Sequence, residues 1–429
     1  MLTPRSVSLP LVPSVEAPQP PNPAARELKR EFRRLISFGR AAAVPEGFAY
    51  MGLTGLPVAA TPVHTYITCR MTYCFLLGLL SGMTDLADDV DHGLSALRGP
   101  LRDRVHGGWL TSTSTNAQVP SEPTKTAYSH AFVLLTASAA VIARRTHGDD
   151  ELLRDALAVV DDHFWDEKEG LVREAFAADW TNEEPYRGTN SNMHMVEAFL
   201  AASDATQNPT YLLRAGRMVE RVLNQFARAR SWRLAEHYTQ DWSPIVEYNR
   251  NDPDHPFRPY GVTPGHLFEW ARLALTYQHA AMRMHLPVEW PVLEVVAEIY
   301  DRAVADGWSQ SGGTGFHYTT DFDGRPVSRA RMHWVLAEAI SAAASMFQAT
   351  GLSRFAEDYA RWWEHANRVF VDYENGSWHH ELDRYNRVTA GTWPGKPDLY
   401  HSVQATLVAQ LPLGLSFPAG LQWLANESV

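Results

Sequence analysis

Six histidines open apolar stretches at near-even intervals: His64, His130, His194, His266, His333 and His401. The intervals are 66, 64, 72, 67 and 68 residues, a regularity hard to attribute to chance. In Tyr260-Gly-Val-Thr-Pro-Gly-His-Leu-Phe-Glu-Trp-Ala-Arg-Leu273, Pro264 and Gly265 break the preceding structure. An apolar run at helical spacing follows. A helix N-terminus disfavours imidazolium, so such histidines are expected to be neutral near pH 7 and available as general bases. Glu197 and Glu269 follow their histidines by three residues, on the same helix face. Glu338 and Gln404 stand at comparable depth on later helices. Arg70 is placed to stabilise an anionic oxygen. Asn190, Arg258 and Asp398 stand shortly before His194, His266 and His401, and tryptophans such as Trp334 and Trp393 surround them.

Aromatic walls interrupted by polar groups suit a sugar, which has apolar C–H faces and hydroxyl edges. Neutral imidazoles, carboxylates and an arginine are the parts needed to move a proton between C1 and C2 of an open-chain sugar. The His-x-x-Glu pairs at 194/197 and 266/269 also have plausible metal-ligand spacing. There is no His-Glu-x-x-His, and no metal is expected. Glu269 and Glu338 could instead flank a glycosidic bond, as in a glycoside hydrolase. A non-catalytic sugar-binding scaffold is a third reading.

The elements that must position these groups follow from the same repeat. Each histidine leads a helix apolar on most sides, read as buried. A short break follows, such as Thr146-His-Gly-Asp149, Asn208-Pro209 or Thr350-Gly351. An amphipathic helix comes next, as over Tyr211–Ala227, Val292–Ala305 or Arg354–Phe370. Longer connections return to the next histidine. Two of them, Gly315–Val327 and Gly376–Val388, read as β-hairpins around Asp-Gly and Tyr-Asn turns. The first amphipathic segment, Ala24–Arg40, has no histidine-led helix before it, and the last, from His401, has no full outer helix after it. Together they would close the ring. The expected fold is all-α: an (α/α)6 barrel, a toroid of six helical hairpins with short β-hairpins in its loops. An open α-solenoid is the alternative, but it would need polar capping repeats.

Composition excludes several classes. The formal charge of −11 and the lack of a basic block disfavour nucleic-acid binding. No apolar run approaches 20 residues, so no membrane span is expected. Cys69 and Cys74 form no disulfide framework or zinc signature, which fits a reducing cytoplasm. No Gly-rich strand–turn–helix fingerprint implies a nucleotide cofactor. Residues 1–23 are rich in proline and read as a disordered extension. Residues 24–429 are expected to form one catalytic domain.

Three stretches resemble the N-acylglucosamine 2-epimerase superfamily: Arg187-Gly-Thr-Asn-Ser-Asn-Met-His-Met-Val-Glu-Ala-Phe-Leu200, Thr263-Pro-Gly-His-Leu-Phe-Glu-Trp270 and Arg331-Met-His-Trp-Val-Leu-Ala-Glu-Ala339. Asp372-Tyr-Glu-Asn-Gly-Ser-Trp378 and Trp393-Pro-Gly-Lys-Pro-Asp-Leu-Tyr-His401 are similar to its aldose–ketose isomerase branch, which holds mannose and sulfoquinovose isomerases. The resemblance runs from about residue 27 to the C-terminus and includes Thr65–Met71 and Gly107-Gly-Trp109. It implies an (α/α)6 barrel, no metal and a cis-enediol intermediate. The two essential histidines fall on His266 and His401, and sugar contacts on Arg70, Asn190, His194, Arg258, Glu269 and Glu338. His401 is expected to shuttle the carbon proton, and His266, oriented with Glu269, to assist ring opening; the two roles could be exchanged. Sulfosugar-processing relatives place glutamine at the positions of His380 and Pro397. Their identities here favour a neutral sugar, D-mannose with D-lyxose beside it, over sulfoquinovose. A sugar 2-epimerase would use the same intermediate.

Overall fold

The computed structural model describes residues 18–21, 23–59, 61–114 and 122–427 of the chain. Most of the expected proline-rich extension, residues 1–17 and 22, lies outside the described residues.

Six helices form an inner ring: α2 (Thr65–Leu80), α4 (Ala127–Ala143), α6 (Thr189–Thr206), α8 (Pro264–Arg283), α10 (His333–Thr350) and α12 (Tyr400–Leu407). Nearly every residue of these helices is buried, because Ala, Leu, Val and Phe occupy all sides. Six others surround them: α1 (Ala25–Gly39), α3 (Ala87–Arg98), α5 (His147–Val159), α7 (Pro209–Val219), α9 (Val292–Gly307) and α11 (Ser353–Val369). Each outer helix buries one apolar stripe and turns its charged face to solvent, as with Phe355, Tyr359, Trp362 and Trp363 of α11. Adjacent inner helices pack on one another around the whole circuit, α12 on α2 included, and α1 packs on α12. The barrel is closed by its two chain ends, and the apolar core fills the space between the rings.

The breaks between inner and outer helices work as local chemistry dictates. Thr146 and Asp149 form a reciprocal capping box at α5. Asn208 caps α7 ahead of Pro209. Gly351 ends α10 in the left-handed region, at φ 68°. The expected single helix over Tyr211–Ala227 winds as α only to Val219 and as π over Glu220–Ala227.

Two expectations are corrected in detail. His130 and His194 do not open their helices: α4 begins at Ala127 and α6 at Thr189, as soon as the strands over Thr124–Thr126 and Tyr186–Gly188 end. The chain also does not stop short of a helix after α12. A helix α13 (Phe417–Glu427) packs across α2, α4 and α6, and Gln422 donates to the carbonyl of Ile142 near the C-terminus of α4. It covers the end of the ring away from the histidines.

Short antiparallel strand pairs circle the other end. The strand entering an inner helix pairs with the next connection: Val63–His64 with Ser112–Thr113, Thr124–Thr126 with Ala175–Ala177, Tyr186–Gly188 with His237–Thr239, and Arg331–Met332 with Glu381–Leu382. Both anticipated hairpins form, with Gly324 N–H bonded to Asp321 O and Asn386 N–H to Asp383 O at their turns. Before α12 the pairing becomes a single bond from Lys396 N–H to Met51 O, 2.9 Å, across the seam of the ring. The fully buried Lys396 ammonium donates to Asp372 at 2.6 Å and reinforces that seam.

Candidate active site

The strand belt surrounds a solvent-open cleft of about 640 Å³ at the N-terminal ends of the inner helices. Tyr66, Tyr128, Phe257, Tyr318, Trp334 and Trp393 supply its aromatic walls. Arg70, Asn190, His194, His266, Glu269 and His401 all line it, so most of the anticipated site converges. His333 and His380 line it too, their rings stacked at 3.7 Å.

His266 and His401 are held alike. His401 Nδ1 lies 2.8 Å from Glu338 Oε1, and His266 Nδ1 lies 2.9 Å from Glu236 Oε2. An ionised carboxylate only accepts, so each Nδ1 carries the proton and each Nε2 keeps its lone pair. Trp334 stands beside both rings, with centroid separations of 5.0 Å to His266 and 5.8 Å to His401. Gly265 admits that indole: a Cβ at residue 265 would lie 2.3 Å from it. Burial, with Arg70 nearby, pushes His401 well below the ordinary histidine range. Burial works to raise Glu236, but the adjacent His266 and the Thr189 hydroxyl, 2.9 Å away, hold it below the usual carboxylate range.

His266 is therefore oriented by Glu236, where Glu269 was the expected partner. Glu236 belongs to the strand after α7. Its carbonyl accepts the first N–H of α6 at 3.1 Å while its side chain reaches α8. Glu174 and His380 occupy the same place in other repeats, their carbonyls accepting Ala127 N–H and His333 N–H. That recurrence was the available signal.

Under the cleft, three buried carboxyl groups share one guanidinium. Arg272 Nε donates to Glu338 at 3.1 Å, and its other nitrogens lie 3.7 Å from Glu197 and 3.6 Å from Glu269. Three anions around one cation favour protonation of the least supported. That group is Glu269. Burial and then repulsion from Glu338 raise it well above the ordinary range, and neither of its oxygens has a protein hydrogen-bond partner among the described residues. Burial would also raise Glu197, but the adjacent His194 and Arg272 and the Tyr400 hydroxyl hold it down to about 2. Sequence reasoning gave Arg272 no role; a charged residue one turn beyond Glu269 in an apolar helix was the clue.

The remaining predicted residues are placed differently. Glu338 is fully buried beneath His401 and reaches the cleft only through it. Arg258 lies in an adjoining groove, paired to both oxygens of Glu184 at 2.7 and 2.9 Å. His64 faces that groove as well. His130 is tied up in the scaffold, bonded to Trp109 N–H at 3.1 Å and to Thr126 O at 2.8 Å. Arg70 is paired to Asp398 at 3.0 Å and to the Tyr128 hydroxyl at 2.9 Å. Two triads have ligand atoms close enough to hold a metal ion: His194, Glu197 and Glu269, and Glu269, Glu338 and His401. Arg272 already supplies positive charge to the same carboxyls.

A family model described as N-acylglucosamine 2-epimerase (GlcNAc 2-epimerase) matches residues 47–405. The chain belongs to the N-acylglucosamine 2-epimerase family. Within this family it is 48% identical to a D-mannose isomerase of Thermobifida fusca over 396 residues, 92% of this chain and 96% of that one. A D-mannose isomerase of Pseudomonas cannabina pv. alisalensis is 42% identical over 398 residues, 92% and 95% of the two chains. A crystal structure of a D-mannose isomerase superposes with a TM-score of 0.83 at 29% identity, covering 92% of this chain and 99% of that one. These relatives match the (α/α)6 barrel built above from the packing of the helices.

Proposed function

We propose that the cleft isomerises a neutral free aldose, D-mannose with D-lyxose as a second substrate, to the 2-ketose through a cis-enediol. The observation that carries this reading is the pair of imidazoles at one cleft, each with Nδ1 held by a buried carboxylate and Nε2 left as a base. The extensive likeness to D-mannose isomerases supports the choice of sugar.

Isomerisation needs a base that takes the C2 proton and returns it to C1 on the same face. His401 Nε2 is assigned that transfer, with Glu338 stabilising the transient imidazolium across the Nδ1 bond. His266, backed by Glu236, handles the ring and hydroxyl oxygens. Arg70 stabilises the developing enediolate oxygen. Asn190 Oδ1, His194 Nδ1 and both Glu269 oxygens are buried without protein partners, so they are assigned to sugar hydroxyls. A neutral Glu269 can donate as well as accept. Arg258 is assigned to the outer rim, next to the groove it lines. No step requires a metal.

The cleft's arginine, Arg70, is already matched by Asp398, which disfavours an anionic sulfosugar. Because the site draws on residues from Arg70 to His401, residues 24–429 are assigned to one catalytic domain. No described helix is long and apolar enough to cross a membrane, and the free, buried Cys69 and Cys74 suit the cytoplasm. The test is a panel of mannose, lyxose, glucose, N-acetylmannosamine and sulfoquinovose, with and without chelator. The reading expects ketose from mannose and lyxose, unaffected by chelator. Preferred turnover of sulfoquinovose, or cleavage of an oligosaccharide with no action on free mannose, would overturn it.

A further inference from the structure

Away from the cleft, the Arg331-Met-His333 stretch carries a charge that the isomerase chemistry does not use. Arg331 is 1% exposed, yet no carboxylate pairs with it among the described residues. Its guanidinium donates to His317 Nδ1 and to Gly313 O, both at 2.9 Å, which leaves Nε–H buried with no partner. His365 on α11 is 2% exposed. Its Nδ1 accepts from Arg368 at 3.1 Å, so its proton sits on Nε2, which is likewise buried and unpartnered.

The two unused donors face the same place. An ideal Cβ on Gly315 would lie 3.2 Å from His365 Nε2 and 3.4 Å from Arg331 Nε. The glycine keeps that side free of a side chain. The charges acting on these groups are all positive: Arg329 and Arg331 on His317, Arg331 and Arg368 on His365, and Arg329 on Arg331. Burial is the first cause that pushes His365 down to about 4 and Arg331 down to about 10. A buried cation without a counter-charge is costly, and two buried N–H donors without acceptors add to that cost.

We propose that Arg331 Nε–H and His365 Nε2–H bind a small inorganic anion, a halide or phosphate, beneath the Ser309–Gly315 loop. The anion supplies the missing counter-charge and both missing acceptors. It also braces the Arg331–Met332 strand, which pairs with Glu381–Leu382 and leads directly into α10, the helix of His333 and Glu338. The site is independent of the sugar assigned to the cleft.

The test uses the full-length protein. Thermal melting is followed against sodium chloride and sodium phosphate at constant ionic strength, with sodium glutamate as the bulky comparison anion. The melting temperature is expected to rise saturably with chloride or phosphate and not with glutamate, the stronger of the two naming the source. In Arg331→Gln and His365→Phe the apparent anion affinity is expected to fall about tenfold or more, the loss of one charge-assisted hydrogen bond. If either variant fails to fold, bromide soaked into crystals of the unmodified protein gives an independent reading: an anomalous peak within hydrogen-bond reach of both nitrogens. A melting response that is the same for all three anions, or unchanged in the folded variants, would overturn the proposal. So would bromide absent from this site while bound elsewhere.

Discussion

At the scale of single residues, the site depends on which nitrogen of each imidazole is committed. Glu236 touches no sugar in this account; it positions His266 through Nδ1. Glu236→Gln keeps the shape but removes the charge, and kcat is expected to fall about 10²-fold with little change in KM, while Glu236→Asp recovers part of the loss. Equal damage from both variants, confined to stability, would reduce Glu236 to a packing residue. His401 makes a prediction in pH. Because its pKa lies well below the ordinary 6.5, it stays a free base as the medium turns acid. The acid limb of kcat/KM assigned to it is therefore expected below pH 6.5, and a midpoint above that value in the pH–rate profile would contradict the assignment. The histidines and Glu269 were legible from their spacing on helices. Glu236 was not, because it reaches His266 from a strand 30 residues earlier, and spacing along one helix says nothing about partners delivered by another element.

At the scale of elements, the approach of α8 to α10 fixes the distance between the two imidazoles, and Gly265 permits it. Gly265→Ala would drive a methyl group into Trp334, which would lie 2.3 Å away, and into Val335, 2.9 Å away. The expected cost is about 1–3 kcal/mol of stability. Loss of kcat/KM should accompany it, since Trp334 leans on both His266 and His401. Unfolding curves and rates equal to those of the unmodified protein would show that the helices have slack there. The alternation of apolar and amphipathic helices, with breaks at Thr146, Asn208 and Gly351, was readable because caps and periodicity are local properties. The π-wound continuation of α7 and the covering helix α13 were not, since both answer to packing across the ring. The one-turn offsets of His130 and His194 have a similar origin: strand pairing with later connections decides where α4 and α6 begin.

At the scale of the whole molecule, the barrel gathers buried neutral histidines, and this ties its stability to pH. Burial lowers His130 to about 3 and His194 and His333 to about 4. The unfolded chain takes up these protons near the ordinary value of about 6.5, before the folded chain does. Each group therefore lends stability above pH 6.5 that is lost as pH falls toward its folded value, at up to about 1.4 kcal/mol per pH unit per histidine. Denaturant titrations from pH 7 to 4 should show this decline; a flat profile would mean that the histidines are not buried as neutral groups. Ring closure was legible because the chain begins with an unpaired outer helix and ends with an inner one. The seam itself, where Lys396 joins Met51 and Asp372, joins segments too far apart in sequence for any pattern to link. The closed ring brings His266 and His401 to one cleft, and the central claim is that this pair moves a proton, not a hydride, between C1 and C2. The direct test is turnover of D-mannose in D₂O followed by NMR. The account predicts fructose carrying deuterium at C1, with both product and label lost in His401→Asn; fructose formed at the normal rate with no deuterium at C1 would contradict it.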